Sequence, residues 1–406
     1  MLASQEDVTI AMSLRGDDAL ILIDILDRAS DMKLDLREKT FRILRRVCGS
    51  QTILPRSCIL SENIAIEGDI AISSGGFADV WKGHHNRAYV CIKAFRIFSA
   101  EDLSKIKQRL FQEIVIWRRL SHPNILPVLG VSQKLFPLCV ITEWMTDGNI
   151  MDFTSERPEV NRLRLLAEAA NGLQYLHSLD IIHGDLKPTN VLIDRDFRPR
   201  LTDYGLIPIV SDPNTADPGS ATSPSAGTAQ YMAPELLNPS GFGLNTSKPT
   251  KKSDVHAFGM VMYQVITGQQ PFPGARDGMI IYSVATGERP DRPPDPNEWL
   301  SDDLWDLISR CWSPSRDSRP DVNFAMSVLD NAADAVEVGR GESCAITYDQ
   351  EKRTSTTQSL RNSTVSTAQP GHWEAELIAF LRTFKTWNQD EHREKAQELA
   401  DRLDEV

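Results

Sequence analysis

The chain has 406 residues, enough for more than one domain-sized unit with a large core, and its 41% hydrophobic and 25% charged content is that of an ordinary globular sequence. Its 44 basic residues against 56 acidic ones give a net charge of -12, which excludes broad electrostatic binding to nucleic acid or anionic lipid. The most apolar early stretch, Ala19 to Leu26, is short and interrupted by Asp24, so no membrane insertion is expected.

The N-terminus, with Gln5, Glu6 and Asp7, lacks the basic-then-apolar order of a secretion signal. The six cysteines, Cys48, Cys58, Cys91, Cys139, Cys311 and Cys344, form no C-x-x-C pair and indicate neither a zinc site nor a disulfide framework. They read as small buried hydrophobes in a reducing, cytoplasmic compartment. Residues 14–55 carry two helical patterns, Leu20, Ile23 and Leu26, then Leu36, Phe41, Leu44 and Val47, ending before Leu54-Pro55. These predict a helical extension over 1–63 that docks either on its own chain or on a partner.

From Ile64 the period changes towards strands. Ile70 to Ser73 and Ala78 to Gly83 read as a hairpin closed by Ser73-Ser74-Gly75-Gly76. Tyr89 to Phe95 is an apolar strand that contains Lys93, and a lysine there needs an anion because an unpaired buried charge is costly. From Leu103 to Leu120 the positions Leu103, Ile106, Leu110, Ile114 and Trp117 follow helical spacing, and Glu113 falls on the inward side. The two charges predict a Lys93–Glu113 ion pair; the alternatives are a snorkelling edge-strand lysine and a glutamate at the rim of the apolar face. Ile125 to Gly130 and Leu138 to Thr142 read as further strands. The chain then leaves the sheet through Glu143-Trp144-Met145 towards Asp147-Gly148.

Leu163, Leu166, Ala170, Leu173 and Leu176 predict a long helix that delivers the chain to His183-Gly184-Asp185-Leu186-Lys187-Pro188-Thr189-Asn190. This run holds the polar types that phosphoryl transfer needs: a carboxylate for the proton of an attacking hydroxyl, a cation for phosphate and an amide oxygen for a metal ion. The alternative is a polar loop whose side chains bond their own backbone. Pairing Val191 with Thr202 and Ile193 with Arg200 sets Asn190 opposite Asp203, a hard oxygen donor set that suits magnesium. Ser211 to Ser225 is a loop too polar for a core. Ser253 to Thr267 is apolar nearly all round and predicts a buried central helix, and Asp321 to Val336 closes the domain. Few apolar anchors make 337–370 a predicted disordered linker, whereas 371–406 returns to helix spacing at Trp373, Leu377, Phe380, Leu381, Phe384 and Trp387. That amphipathic helix docks on its own chain or on a protein partner.

Several of these stretches resemble the protein kinases. H-x-D-L-K-x-x-N resembles their catalytic loop, which implies Asp185 as catalytic base beside Lys187, and Asn190 with Asp203 as magnesium ligands. Gly184 stands where most of the family has Arg. Val90-x-Ile92-Lys93 resembles the strand whose lysine meets the α- and β-phosphates of ATP, with Glu113 holding it there. Ser73, Ser74, Gly75, Gly76, Phe77, Ala78 and Val80 resemble the glycine-rich loop, with Ser73 and Ala78 at the two outer glycine positions. By position, Glu143 and Met145 are hinge residues for adenine and Thr142 guards the pocket behind it; a strand merely leaving its sheet fits the same letters. Asp203-Tyr204-Gly205 resembles D-F-G with Tyr for Phe, Ala233-Pro234-Glu235 resembles A-P-E with Arg319 as the partner of Glu235, and Asp254 is implied to tether the catalytic loop.

The resemblance implies a bilobal α+β fold over 64–336, with a small β-rich N-lobe (64–145) and a larger helical C-lobe (146–336). It also implies ATP and Mg2+ as cofactors and protein Ser/Thr hydroxyls as acceptors. The L-S-H-P-N-I-L run and the Trp312-Ser313-Pro314 to Arg319-Pro320 ending are similar to the tyrosine-kinase-like branch of serine/threonine kinases expanded in fungi. Lys187 and Thr228 agree with Ser/Thr acceptors. Without a cation at Gly184, phosphorylation of the loop that precedes A-P-E is not expected to be the main switch. The alternative function is a pseudokinase scaffold, which Ser73, Ala78, Gly184 and Tyr204 favour.

Overall fold

The computed structural model describes residues 11–31, 37–75, 78–206, 226–294 and 299–339. Gly76, Phe77, the Ser211–Ser225 loop, Cys344 and the 371–406 helix of the sequence reading lie outside them. The fold is bilobal. The small lobe is a six-stranded antiparallel sheet of β1 (Ile64–Ile66), β2 (Ser73–Ser74), β3 (Ala78–His85), β4 (Ala88–Phe95), β5 (Val128–Ser132) and β6 (Cys139–Glu143). Its order is β1-β3-β4-β6-β5, with β2 also pairing β3.

Among the described residues, α1 (Gly16–Asp31) and α2 (Arg37–Gln51) precede the sheet, and α3 (Ala100–Trp117) lies between β4 and β5 in the chain. Ser99 starts α3 by accepting the Asp102 N–H at 3.0 Å. The buried side chains Leu22, Ile23 and Ile25 of α1, Leu44 and Val47 of α2 and Leu110, Phe111 and Ile114 of α3 share one continuous core. The extension therefore docks on its own chain, with α2 packed against α3.

The large lobe contains α4 (Ile150–Glu156), α5 (Arg162–Ser178), the ribbon β7 (Val191–Ile193) and β8 (Pro199–Leu201), then α6 (Lys251–Thr267), α7 (Asp277–Thr286), α8 (Asp302–Cys311) and α9 (Val322–Gly339). As its all-round apolar pattern requires, α6 is buried from Ser253 to Ile266, and it opens with a Thr250/Ser253 capping box. Helix α9 continues past Val336, because Glu337 accepts hydrogen bonds from Asn161 at 3.1 Å and Arg164 at 3.3 Å on α5. The lobes are stitched behind the site, where Leu126 N–H donates to Leu201 O and Leu201 N–H to Asn124 O, each at 2.9 Å.

One expected register is corrected. Val191 pairs with Leu201 and Ile193 with Pro199, one residue short of the predicted pairing. The cause is the turn: the Asp194 carboxylate accepts the N–H groups of Asp196 and Arg198, both at 2.9 Å, and closes the ribbon over 194–198, one residue shorter than the predicted pairing requires. Asn190 consequently faces Thr202, whose N–H donates to its carbonyl at 3.0 Å, and Asp203 follows one residue on with φ 63°.

Candidate active site

The loop from His183 to Asn190 is fixed from below by one buried carboxylate. Asp254, on the first turn of α6, accepts the backbone N–H of His183 on Oδ2 at 2.8 Å and of Gly184 on Oδ1 at 2.9 Å, and Oδ2 also meets His177 Nε2 at 2.8 Å. Gly184 takes φ +80°, a conformation that suits glycine, so the loop turns there without strain. The next residue, Asp185, is pointed by its own loop. Lys187 Nζ donates to Asp185 Oδ2 at 2.8 Å and Asn190 Nδ2 to the same oxygen at 3.1 Å, while Asn190 also donates to the Asp185 carbonyl at 2.7 Å. Among the described residues no hydrogen bond reaches Asp185 Oδ1. Lys187 in turn lies 3.3 Å from Thr228 Oγ1, which joins the catalytic-loop stretch to the segment before A-P-E.

Asp203 sits beside this loop. The Gly205 N–H donates to the His183 carbonyl at 2.9 Å, and the Tyr204 ring meets His183 and Trp117 edge-on at centroid distances of 6.4 and 5.8 Å. Tyr204 is 3% exposed, and its hydroxyl donates to the Leu126 carbonyl at 3.2 Å, the partner that a buried phenol requires. The ring thus packs between α3 and the His183–Asn190 loop, and its hydroxyl ties it to the segment that leads into β5.

Lys93 has found its anion, and it is Asp203. Both side chains are about one-fifth exposed, at 20% and 21%. Burial alone would pull the Lys93 ammonium down, but the attraction of Asp203 and the hydrogen bond to it outweigh this and hold the lysine above its ordinary value. Burial would likewise raise the Asp203 carboxyl, and Lys93, Lys187 and His183 together hold it below the usual carboxylate range.

The expected Lys93–Glu113 pair is not formed. Glu113 accepts from Arg45 of α2 at 2.5 Å, and Arg45 Nε donates to the Gln112 carbonyl at 3.2 Å. The reason is positional: the docked extension places a guanidinium against the same turn of α3, and Lys93 is engaged elsewhere. Helical spacing identified the turn that carries Glu113 but not the element that covers it.

In the sheet of the small lobe, Val80 is the neighbour of Lys93, and Cys91 that of Thr142. Ser73 pairs with Val80 and Ser74 with Asp79, and the Gly75 N–H donates to the Ala78 carbonyl at 3.0 Å, which forms the start of the expected loop. Glu143 ends β6 opposite Val90, the Trp144 N–H donates to the Tyr89 carbonyl at 3.4 Å, and the half-buried Met145 follows. Ser73 lies on β2, Ala78 and Val80 on β3, Lys93 on β4 and Glu143 at the end of β6 of one sheet, with Met145 two residues beyond it.

The donor set fits magnesium by its chemistry, since the Asp203 carboxylate and the Asn190 amide oxygen are hard donors and that amide oxygen accepts no bond among the described residues. Away from the site, Arg319 grips Glu235 with two hydrogen bonds of 2.7 and 2.8 Å, both side chains almost wholly buried.

A profile described as protein tyrosine and serine/threonine kinase matches residues 66–329. Among curated relatives, the serine/threonine/tyrosine-protein kinase HT1 of Arabidopsis thaliana is 30% identical over 275 residues, 66% of each chain. The dual specificity protein kinase shkC of Dictyostelium discoideum is 29% identical over 268 residues, 64% of this chain and 50% of its own. The receptor-interacting serine/threonine-protein kinase 3 of Rattus norvegicus is 30% identical over 278 residues, 64% of this chain and 54% of its own. The chain therefore spans between half and two thirds of the length of these relatives.

Proposed function

The chain belongs to the protein tyrosine and serine/threonine kinase family, and on that premise we propose that it transfers the γ-phosphoryl group of ATP to Ser or Thr hydroxyls of proteins. The observation that carries this reading is the orientation of Asp185, whose Oδ2 is occupied by Lys187 and Asn190 while Oδ1 is left to accept a proton. In this mechanism Asp185 Oδ1 takes the proton of the acceptor hydroxyl as its oxygen attacks the γ-phosphorus, and the bond from that phosphorus to the β,γ-bridging oxygen breaks, releasing ADP. Lys187, steadied by Asp185 and Thr228, neutralises charge on the transferring group. Lys93 meets the α- and β-phosphates, and the hinge at Glu143 to Met145 takes the adenine. Asp203 and Asn190 are the residues that would hold magnesium, which when bound neutralises phosphate oxygens.

The contact between Lys187 and Thr228 supports Ser/Thr acceptors, although similar proteins include one with dual specificity by name. Because α9 runs to Gly339, we assign the kinase unit to 64–339 rather than 64–336, with 1–63 as a docked extension, 340–370 as a linker and 371–406 as a further helix, in a cytoplasmic protein of the tyrosine-kinase-like type. No helix among the described residues is long and apolar enough to cross a membrane. With glycine at 184, phosphatase treatment is expected to leave activity largely intact.

The pairing of Lys93 with Asp203 and of Glu113 with Arg45 favours the second reading, a nucleotide-binding scaffold without turnover. Transfer of labelled phosphate from ATP to a generic Ser/Thr acceptor separates the two. Asp185→Asn should lower the rate about 10²- to 10⁴-fold while leaving nucleotide affinity little changed. A wild-type preparation with no transfer above that variant would leave the scaffold reading standing.

A further inference from the structure

Helix α3 is held from outside at two points. At its C-terminal end Arg119 donates to the Asp27 carboxylate at 2.5 Å and to the Asp27 carbonyl at 2.7 Å. This pair is only 9% and 6% exposed, Ser57 also donates to Asp27 at 2.5 Å, and the guanidinium lies over the Phe41 ring. The second point is the Arg45–Glu113 pair, one turn before Trp117. Beyond this second point α2 and α3 approach closely enough that a Cβ at Gly49 would collide with the Gln112 side chain. The first contact is a buried anchor. The second is half-exposed and reaches the one carboxylate of α3 that sequence reading assigned to Lys93.

We infer that Arg45 is a positioning residue that competes with Lys93 for Glu113, so that the N-terminal helical pair sets how far the active-site lysine is available to nucleotide. The inference rests on the phosphotransfer reading only for its consequence in turnover; its consequence for nucleotide binding is independent of it. While Arg45 holds Glu113, Lys93 stays on Asp203, and two groups needed for phosphate and metal neutralise each other. When Arg45 lets go, Glu113 can draw Lys93 from Asp203, and lysine and carboxylate are both freed for their ligands. A half-exposed ion pair of this kind is a weak latch, one that a modest input can open.

The test uses the full chain and two readouts, the affinity for Mg·ADP by titration calorimetry and kcat/KM for ATP. Arg45→Gln should tighten Mg·ADP and raise kcat/KM by roughly two- to fivefold, the range expected for losing one exposed pair. Both gains should vanish when Glu113→Gln is added to the same chain. Arg45→Lys, which keeps the charge but loses the two-pronged hold on Glu113 and the Gln112 carbonyl, should move in the same direction by less, and serves if Arg45→Gln fails to fold. Unchanged or weaker Mg·ADP binding in both variants, or a gain that persists with Glu113→Gln, overturns the inference. If no protein transfers phosphate in an Asp185-dependent manner, the phosphotransfer reading falls while the Mg·ADP affinities still decide this one. Failure of every variant and of the wild type to bind Mg·ADP overturns both.

Discussion

His256 is wholly buried on α6, with its Nδ1 3.4 Å from the Tyr231 carbonyl. Burial first, then Arg289 and Arg319, hold it well below the ordinary imidazole value, and burial also lowers His183. A histidine with a depressed folded pKa binds its proton more readily when unfolded. Its contribution is therefore fully present above about pH 6.5 and is lost as pH falls below that value, at up to roughly 1.4 kcal/mol per pH unit. Urea unfolding between pH 7.5 and 5 should show this decline, and His256→Gln should flatten part of it; an equal slope in both proteins would rule out His256 as a source. At this scale much of the site was legible. Asp185, Asn190 and Asp203 announce themselves by residue type and spacing, and Lys93 by being a charge in an apolar strand. The identity of its anion was not legible: helical spacing pointed to Glu113, whereas the lysine pairs with Asp203 and the glutamate with Arg45. Nothing local to Arg45, one of several cations in a basic stretch, marks it as the competitor.

Among the elements, the bidentate Glu235–Arg319 pair ties the A-P-E turn to the loop before α9 with almost no exposure. Arg319 also donates to the carbonyls of Ser313 at 2.9 Å and Lys252 at 3.1 Å, so one guanidinium fastens three segments. Arg319→Met leaves Glu235 buried without its partner and should cost about 3–5 kcal/mol in denaturant unfolding, whereas adding Glu235→Met should recover most of it. Recovery of nothing would mean that the backbone contacts, not the charge pair, hold the joint. The helices α3, α5, α6 and α9 were legible from their apolar periodicity to within a few residues. The ribbon β7–β8 was legible as a hairpin but not in its register, since a side-chain contact inside the turn, from Asp194, decided which residues face each other.

Across the whole molecule, the extension and the small lobe share one core. Sequence could place two amphipathic helices ahead of the sheet but not their seat, which depends on a complementary face of α3 formed only on folding. The Arg45–Glu113 contact has a thermodynamic corollary, because linkage between two equilibria is mutual. If loosening the extension sharpens nucleotide affinity, saturating nucleotide must loosen the extension by the same factor. Deuterium uptake along Arg37–Gln51 should accordingly quicken when Mg·ADP is added; uptake that slows or stays level would mean that the two regions are energetically separate. The cleft would then report its occupancy outward, to a surface far from any phosphate.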